Sequence, residues 1–195
     1  MLTITPFTLI IPLLIIGCGA PSEETVLLSQ AKVETTAPLN ISNSDILLAI
    51  NKIRAMARDC HDGLGVVGPV APLRWSETLY AAAYEHSNDL AQSNTFAHEG
   101  SGTIWDITGS NNGAPSLFNE RIEANGYGEF YVVGENIAGG QESIEVAIQA
   151  WLDSPAHCTN LMSDKYHEVG VAVVVNPDAD YEIYWTQNFG NRDGL

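Results

Sequence analysis

Apolar positions along the chain fall into a few recognisable periods. Ile46, Ile50, Ile53 and Ala57 recur at helical spacing behind Ser44, whose hydroxyl suits an N-cap, so the pattern predicts a first helix from Ser44 to about Asp59. Gly63, Gly65, Gly68, Pro69 and Pro72 then interrupt the chain. A second helix is predicted behind Ser76, with Leu79, Ala82, Ala83, His86 and Leu90 along its apolar stripe. Residues 99–115, rich in Gly, Ser, Thr and Asn, read as a long loop, and residues 116–125 as a short helix stopped by Gly126. Residues 130–138 look partly extended. The segment 142–153 is helical, with Ile144, Ala147, Ile148, Trp151 and Leu152 on one side. Two strands follow, 167–175 and 181–189, and the first carries apolar or small residues on both faces, as a strand covered on both sides does. Helices first and paired strands later predict an α+β fold, a three-layer α-β-α sandwich around a central, mainly antiparallel sheet.

Composition narrows the picture. The 195 residues hold 24 Asp and Glu against 8 Lys and Arg, a net charge of −16, with 45% hydrophobic residues. That suffices for one domain with a core, and it excludes a nucleic-acid partner, whose phosphates require basic neutralisation. Residues 3–17 form an apolar run too short and too interrupted by proline to span a membrane, and read as an export signal. The run ends in Ile15-Ile16-Gly17-Cys18, which resembles the lipobox of bacterial lipoprotein signals, although no Lys or Arg precedes it. The resemblance implies cleavage before Cys18, lipidation of its thiol and attachment to a membrane; a cut a few residues later would leave Cys18 incidental. The expected organisation is a signal peptide over residues 1–17, a flexible tether over 18–43 and the domain over 44–195. Of three cysteines, Cys60 and Cys158 then remain to pair in an oxidising envelope compartment.

No His-Glu-x-x-His, Cys-x-x-Cys, phosphate-binding glycine loop or Gly-x-Ser-x-Gly elbow is present. A set of ordered motifs is: Leu73-Arg74-Trp75, the run from Ala82 to Ala91, Phe96-Ala97-His98, Gly126-Tyr127, Gly134-Glu135-Asn136-Ile137-Ala138, the run from Trp151 to Met162, Glu168-Val169-Gly170-Val171 and the run from Tyr184 to Gly190. From about Leu48 to Gly190 the chain resembles the bacterial branch of the CAP superfamily, that of cysteine-rich secretory proteins, antigen 5 and plant pathogenesis-related proteins. The resemblance implies the α-β-α sandwich and an extracytoplasmic location; together with the anchor implied at Cys18, the expected place is the membrane of a bacterial envelope.

In that family two histidines and two carboxylates of a cleft bind a divalent cation such as zinc in some members. Here the matching residues are His98, Glu135, His157 and Glu168. The His-Phe-Thr-Gln motif that carries the second histidine in eukaryotic members is absent. Ser154-Pro155 predicts a helix start that places His157 in a first turn, where the dipole favours neutral imidazole. Glu168 shares a strand face with Gly170 and Ala172, whose small size leaves room for its carboxylate. The carboxylates would ligate the cation or orient the imidazoles from behind; otherwise both simply tie sheet to helices. His86 reads as a core histidine, His167 as packed or exposed, His61 as a loop residue, and Trp105 as a packing anchor or a lid. The resemblance leaves three roles open: a zinc-assisted hydrolase of peptide or envelope polymer, a lipid-, sterol- or glycan-binding module, and a structural envelope protein.

Overall fold

The computed structural model describes residue 39 and residues 41–193; the signal segment, Cys18 and most of the tether lie outside the described residues. The first helix, α1 (Asn43–Arg54), is capped by Ser42 rather than Ser44, the Ser42 hydroxyl accepting the Asp45 N–H at 3.2 Å. It also stops before Asp59. Arg54 turns inward, and its guanidinium donates to the carbonyls of Ala71, Leu161 and Ser163. The residues that follow pair instead as a small antiparallel hairpin, β1 (Arg58–Asp59) with β2 (Val66–Val67). The hairpin carries Cys60 to a disulfide with Cys158, their Cα atoms 5.5 Å apart, as the pairing of the two cysteines predicts.

After β3 (Arg74–Trp75), the long α2 (Glu77–Ser93) is capped by Ser76 and closed by Asn94 in the left-handed conformation, φ 53°. The loop expected over residues 99–115 contains a further helix, α3 (Ile107–Asn112). Buried Asp106 builds it: Oδ1 accepts the Gly109 N–H at 3.0 Å, while Oδ2 accepts the N–H groups of Gly102 and Ser116. A cap supplied by one carboxylate leaves no apolar period, which hid this helix. The next helix, α4 (Phe118–Ala124), begins where Glu120 reaches back to the Leu117 N–H at 2.8 Å.

Four strands form the central sheet. β4 (Val132–Gly139), β5 (Glu168–Val175) and β6 (Ile183–Asn191) join β3 in the order β3-β5-β6-β4, with β3 parallel to β5 and the other pairs antiparallel. One face packs on α1, α5 (Ile144–Leu152) and α6 (Pro155–Leu161), where Val169, Val171, Trp185 and Phe189 meet Ile50, Ile148 and Trp151. The other face packs on α2 and α4 through Ile137 and Tyr184 against Leu90, and through Tyr127 against Leu79 and Ile122. This is the expected α-β-α sandwich. Gly170 lets α2 touch the sheet, because a Cβ there would collide with the backbone of Leu79 and Tyr80. The smallness of Gly170 therefore serves helix packing and leaves no space beside Glu168. No helix among the described residues is long and apolar enough to cross a membrane.

Candidate functional site

β4 is the last strand of the sheet, so one of its edges has no strand partner among the described residues. Two segments from opposite faces of the sandwich meet there. The chain leaving α2 brings His98 from one face, and α6 brings His157 from the other, with the two ring centroids 6.2 Å apart. His157 lies in the first turn of α6 behind Pro155, as the Ser-Pro start predicts. The Asn136 carboxamide donates to the His157 carbonyl at 3.1 Å and so fixes α6 to the sheet.

Glu135, on β4, is the buried centre of the arrangement. Its Oε1 accepts from His98 Nδ1 at 3.0 Å, and one Arg121 nitrogen donates to Oε2 at 2.9 Å and to Oε1 at 3.2 Å. Asn188, with its carboxamide nitrogen turned toward the site, donates to Oε2 at 3.2 Å. Arg121 also donates to the His98 carbonyl at 2.8 Å and to the Ser116 carbonyl and hydroxyl, so it fixes carboxylate and histidine backbone together.

Burial alone would push the Glu135 carboxyl up, but neighbouring positive charge and the His98 and Arg121 hydrogen bonds hold it below the usual carboxylate range. His86 lies beneath, its Nε2 3.8 Å from Oε1. Burial lowers the His86 imidazole to about 4, so near neutrality it carries no charge, and Arg121 and His98 hold the carboxylate. Its Nε2 sits 3.0 Å from the Ala97 carbonyl, which assigns the proton to that nitrogen, and its buried Nδ1 meets no partner among the described residues. His86 is the core histidine its helical stripe predicts.

The two cleft histidines are pushed apart. The Glu135 hydrogen bond raises His98 above the ordinary histidine value against the opposing effect of partial burial. Burial, and then the proximity of His98, lowers His157. With Nδ1 donating to Glu135, the His98 ring keeps Nε2 free; its side chain is 46% exposed against 1% for Glu135. The adjoining cleft has a volume of about 400 Å³, with Leu117, Phe118 and Val133 on its apolar side and Glu99, Asn160 and Tyr166 among its polar groups.

Glu168 stands elsewhere. It is on β5, with β6 between it and β4. Its Oε2 accepts from Tyr127 Oη at 2.6 Å and Arg192 Nε at 3.2 Å, and its Oε1 from the Arg192 terminal nitrogen at 2.9 Å. The Arg192 guanidinium covers the Tyr127 ring 4.4 Å from its centroid. The structure thus brings together His98, Glu135 and His157, not Glu168.

Both oxygens of each carboxylate are engaged by arginine, so the four residues do not fit a four-ligand metal centre, and no group of three or more His, Cys, Asp or Glu among the described residues is arranged to hold a metal ion. What fits is narrower. His98, oriented by a carboxylate from behind, lines the cleft, and the His157 ring stands 6.2 Å from it.

Other expectations resolve simply. His61 is exposed on its loop. His167 is partly exposed, 3.8 Å from Asp193. Trp105 is 41% exposed. Sequence reasoning missed Arg121, Asn160 and Asn188, which all donate to Glu135. Arg121 carried a signal, as one of few basic residues in an acidic chain, placed in an otherwise ordinary short helix.

Residues 47–189 match the family model described as CAP, the cysteine-rich secretory protein family. The membrane protein YlbC of Bacillus subtilis (strain 168) is 31% identical over 123 residues, 63% of this chain and 30% of YlbC. YkwD of the same organism is 30% identical over 119 residues, 60% of this chain and 39% of YkwD. The chain therefore spans well under half the length of the curated relatives it matches. Among solved structures, an extracellular protein containing an SCP domain from Bacillus anthracis str. Ames aligns with TM-score 0.55 at 25% identity, over 76% of this chain and 39% of that one. An outer surface protein from Borrelia burgdorferi aligns with TM-score 0.55 at 21% identity over 78% and 97%, a likeness of fold.

Proposed function

Since the chain belongs to the CAP, or cysteine-rich secretory protein, family, we propose that it works outside the cytoplasm, held to an envelope membrane through Cys18, and that the cleft at His98 and His157 is its working site. The apolar run ending in Cys18 supports the anchor, and the Cys60–Cys158 disulfide suits an oxidising compartment. The relatives described as extracellular, outer-surface and membrane proteins agree with that location.

In this reading the cleft takes a divalent cation or a polar ligand group on its two imidazoles. Glu135 orients His98 without ligating, and Glu168 has no part. One observation carries it: the His98 Nδ1–Glu135 Oε1 bond at 3.0 Å, locked by Arg121, leaves Nε2 as the available nitrogen of a ring whose centroid is 6.2 Å from that of His157. A cation bound there would supply Lewis acidity and leave positions open to water or substrate.

Calorimetric titration of the full chain with zinc tests the reading. Uptake of one ion is expected, lost in His98→Ala combined with His157→Ala and retained in Glu168→Gln. Absence of uptake by the unaltered chain, or equal uptake by the double variant, removes the cation.

A second reading, hydrolysis of peptide or envelope polymer, is favoured by the opposite shifts of the two imidazoles, since an acid and a base at one site need their titrations separated. It requires turnover. A module that only binds lipid, sterol or glycan shows uptake without it.

A further inference from the structure

The cleft lies along a strand edge as well as beside two histidines. In the β4–β6 ladder Gly134, Asn136 and Ala138 stand opposite Phe189, Gln187 and Trp185, and the Gly140 N–H donates to the Ile183 carbonyl. Even-numbered residues of β4 thus turn their backbone groups toward β6, and odd-numbered residues turn theirs outward. The outward carbonyls of Glu135 and Ile137 confirm the parity, accepting from the side chains of Asn160 (3.2 Å) and Trp151 (3.0 Å). Those two side chains take up the outward carbonyls of Glu135 and Ile137. Before them it is open: the N–H and C=O of Val133 and the N–H of Glu135 face outward, with no bond to any described residue. Val133, Gly134 and Glu135 line the cleft.

We propose that this open edge takes an extended polypeptide as an added strand, whose backbone pairs with Val133 and is delivered to His98 and His157; the inference rests on reading that cleft as the working site. The match is one of backbone chemistry. Two outward donors and an acceptor at strand spacing complement a peptide main chain. Side chains of an added strand alternate between the two faces of the sheet, and the cleft offers a different wall on each. One wall is apolar, Leu117 and Phe118, with Leu117 47% exposed; the other is Asn160 and Tyr166. The histidine rings, 6.2 Å apart, leave too little room for a chain to pass between them and stand where the open edge ends. A strand laid on Val133 therefore presents its next peptide group to the imidazoles. Glu99 on the cleft wall and the net charge of −16 favour a basic polypeptide.

The probe is a positional library of N-acetylated, C-amidated hexapeptides with lysine at both ends, alongside the same library N-methylated at alternate amides so that it cannot pair along an edge. Both are titrated into the full chain with chelator present, so that a failure of cation binding leaves the outcome readable. The unmethylated library is expected to bind and the methylated one to bind at least about tenfold more weakly. Amide exchange at Val133 and Glu135 should slow by about tenfold or more in the complex. Val133→Pro removes the outward N–H while leaving the inward bonds of Val132 and Gly134 in place, as an edge strand tolerates. It should abolish peptide binding while near-ultraviolet dichroism stays unchanged. If that variant unfolds, the methylated library decides. Equal binding of the two libraries, unchanged exchange at Val133 and Glu135, or no binding at millimolar peptide overturns the proposal. So does preferential uptake of a neutral glycan at the same cleft.

Discussion

His86 sits under the cleft as a neutral imidazole, surrounded by Ala97, Glu135, Arg121 and His98. Its unfolded value of 6.5 falls to about 4 in the folded chain, through burial above all. Between those values the unfolded chain binds a proton that the folded chain refuses, so stability drops as pH falls from 6.5 toward 4. The loss is on the order of 3 kcal/mol from this group. His98 acts in the other direction: its raised value gives stability that is complete below the ordinary histidine range and fades as pH rises through the folded value. Urea midpoints measured across this range should show the acid loss in the unaltered chain and a flatter acid limb in His86→Gln, whose amide can still reach the Ala97 carbonyl. At this scale the sequence carried His98 and Glu135 through local motifs, and His86 through its helical stripe. Arg121 was hidden because its role arises only when α4 folds onto β4. Glu168 was misplaced because sharing a strand face says nothing about which tyrosine and arginine arrive from elsewhere.

Where α2 crosses β5, contact between elements is decided by the absence of a side chain. Gly170→Ala places a methyl group into the backbone of Leu79 and Tyr80, which cannot rotate away. The helix must lift from the sheet, and the expected cost is about 3 kcal/mol, the upper range of overpacking. Denaturant unfolding checks this, with Ala172 unaltered on the same face as the reference. The long amphipathic helices and both C-terminal strands were legible because period and length agree in them. The end of α1 was not, since its apolar spacing continues to Ala57 while Arg54 is drawn inward by carbonyls from residues distant in sequence. Nor was α3, which rests on the bonds of Asp106 rather than on an apolar stripe.

For the molecule as a whole, the disulfide is the longest covalent constraint, joining residues 98 apart in sequence. Replacing both Cys60 and Cys158 by serine should lower stability by about 5 kcal/mol, the loop-closure value for a loop of that size, as read from thermal or denaturant unfolding. Because Cys158 adjoins His157 on α6, the variant should also loosen the cleft. The layered architecture was legible from the order of helices and strands. The division of the acidic residues into solvated surface and a few buried anchors was not, because burial is a property of the packed layers. One consequence of the strand order β3-β5-β6-β4 concerns time rather than shape. β3 has no partner until β5 exists, and β4 has none until β6 exists. As the chain is synthesised, no bond of the central sheet can form before residue 168, and β4 waits until Ile183–Asn191 appears. The sheet, and with it the cleft on its edge, assembles as one late event, when the final hairpin threads between two strands made much earlier.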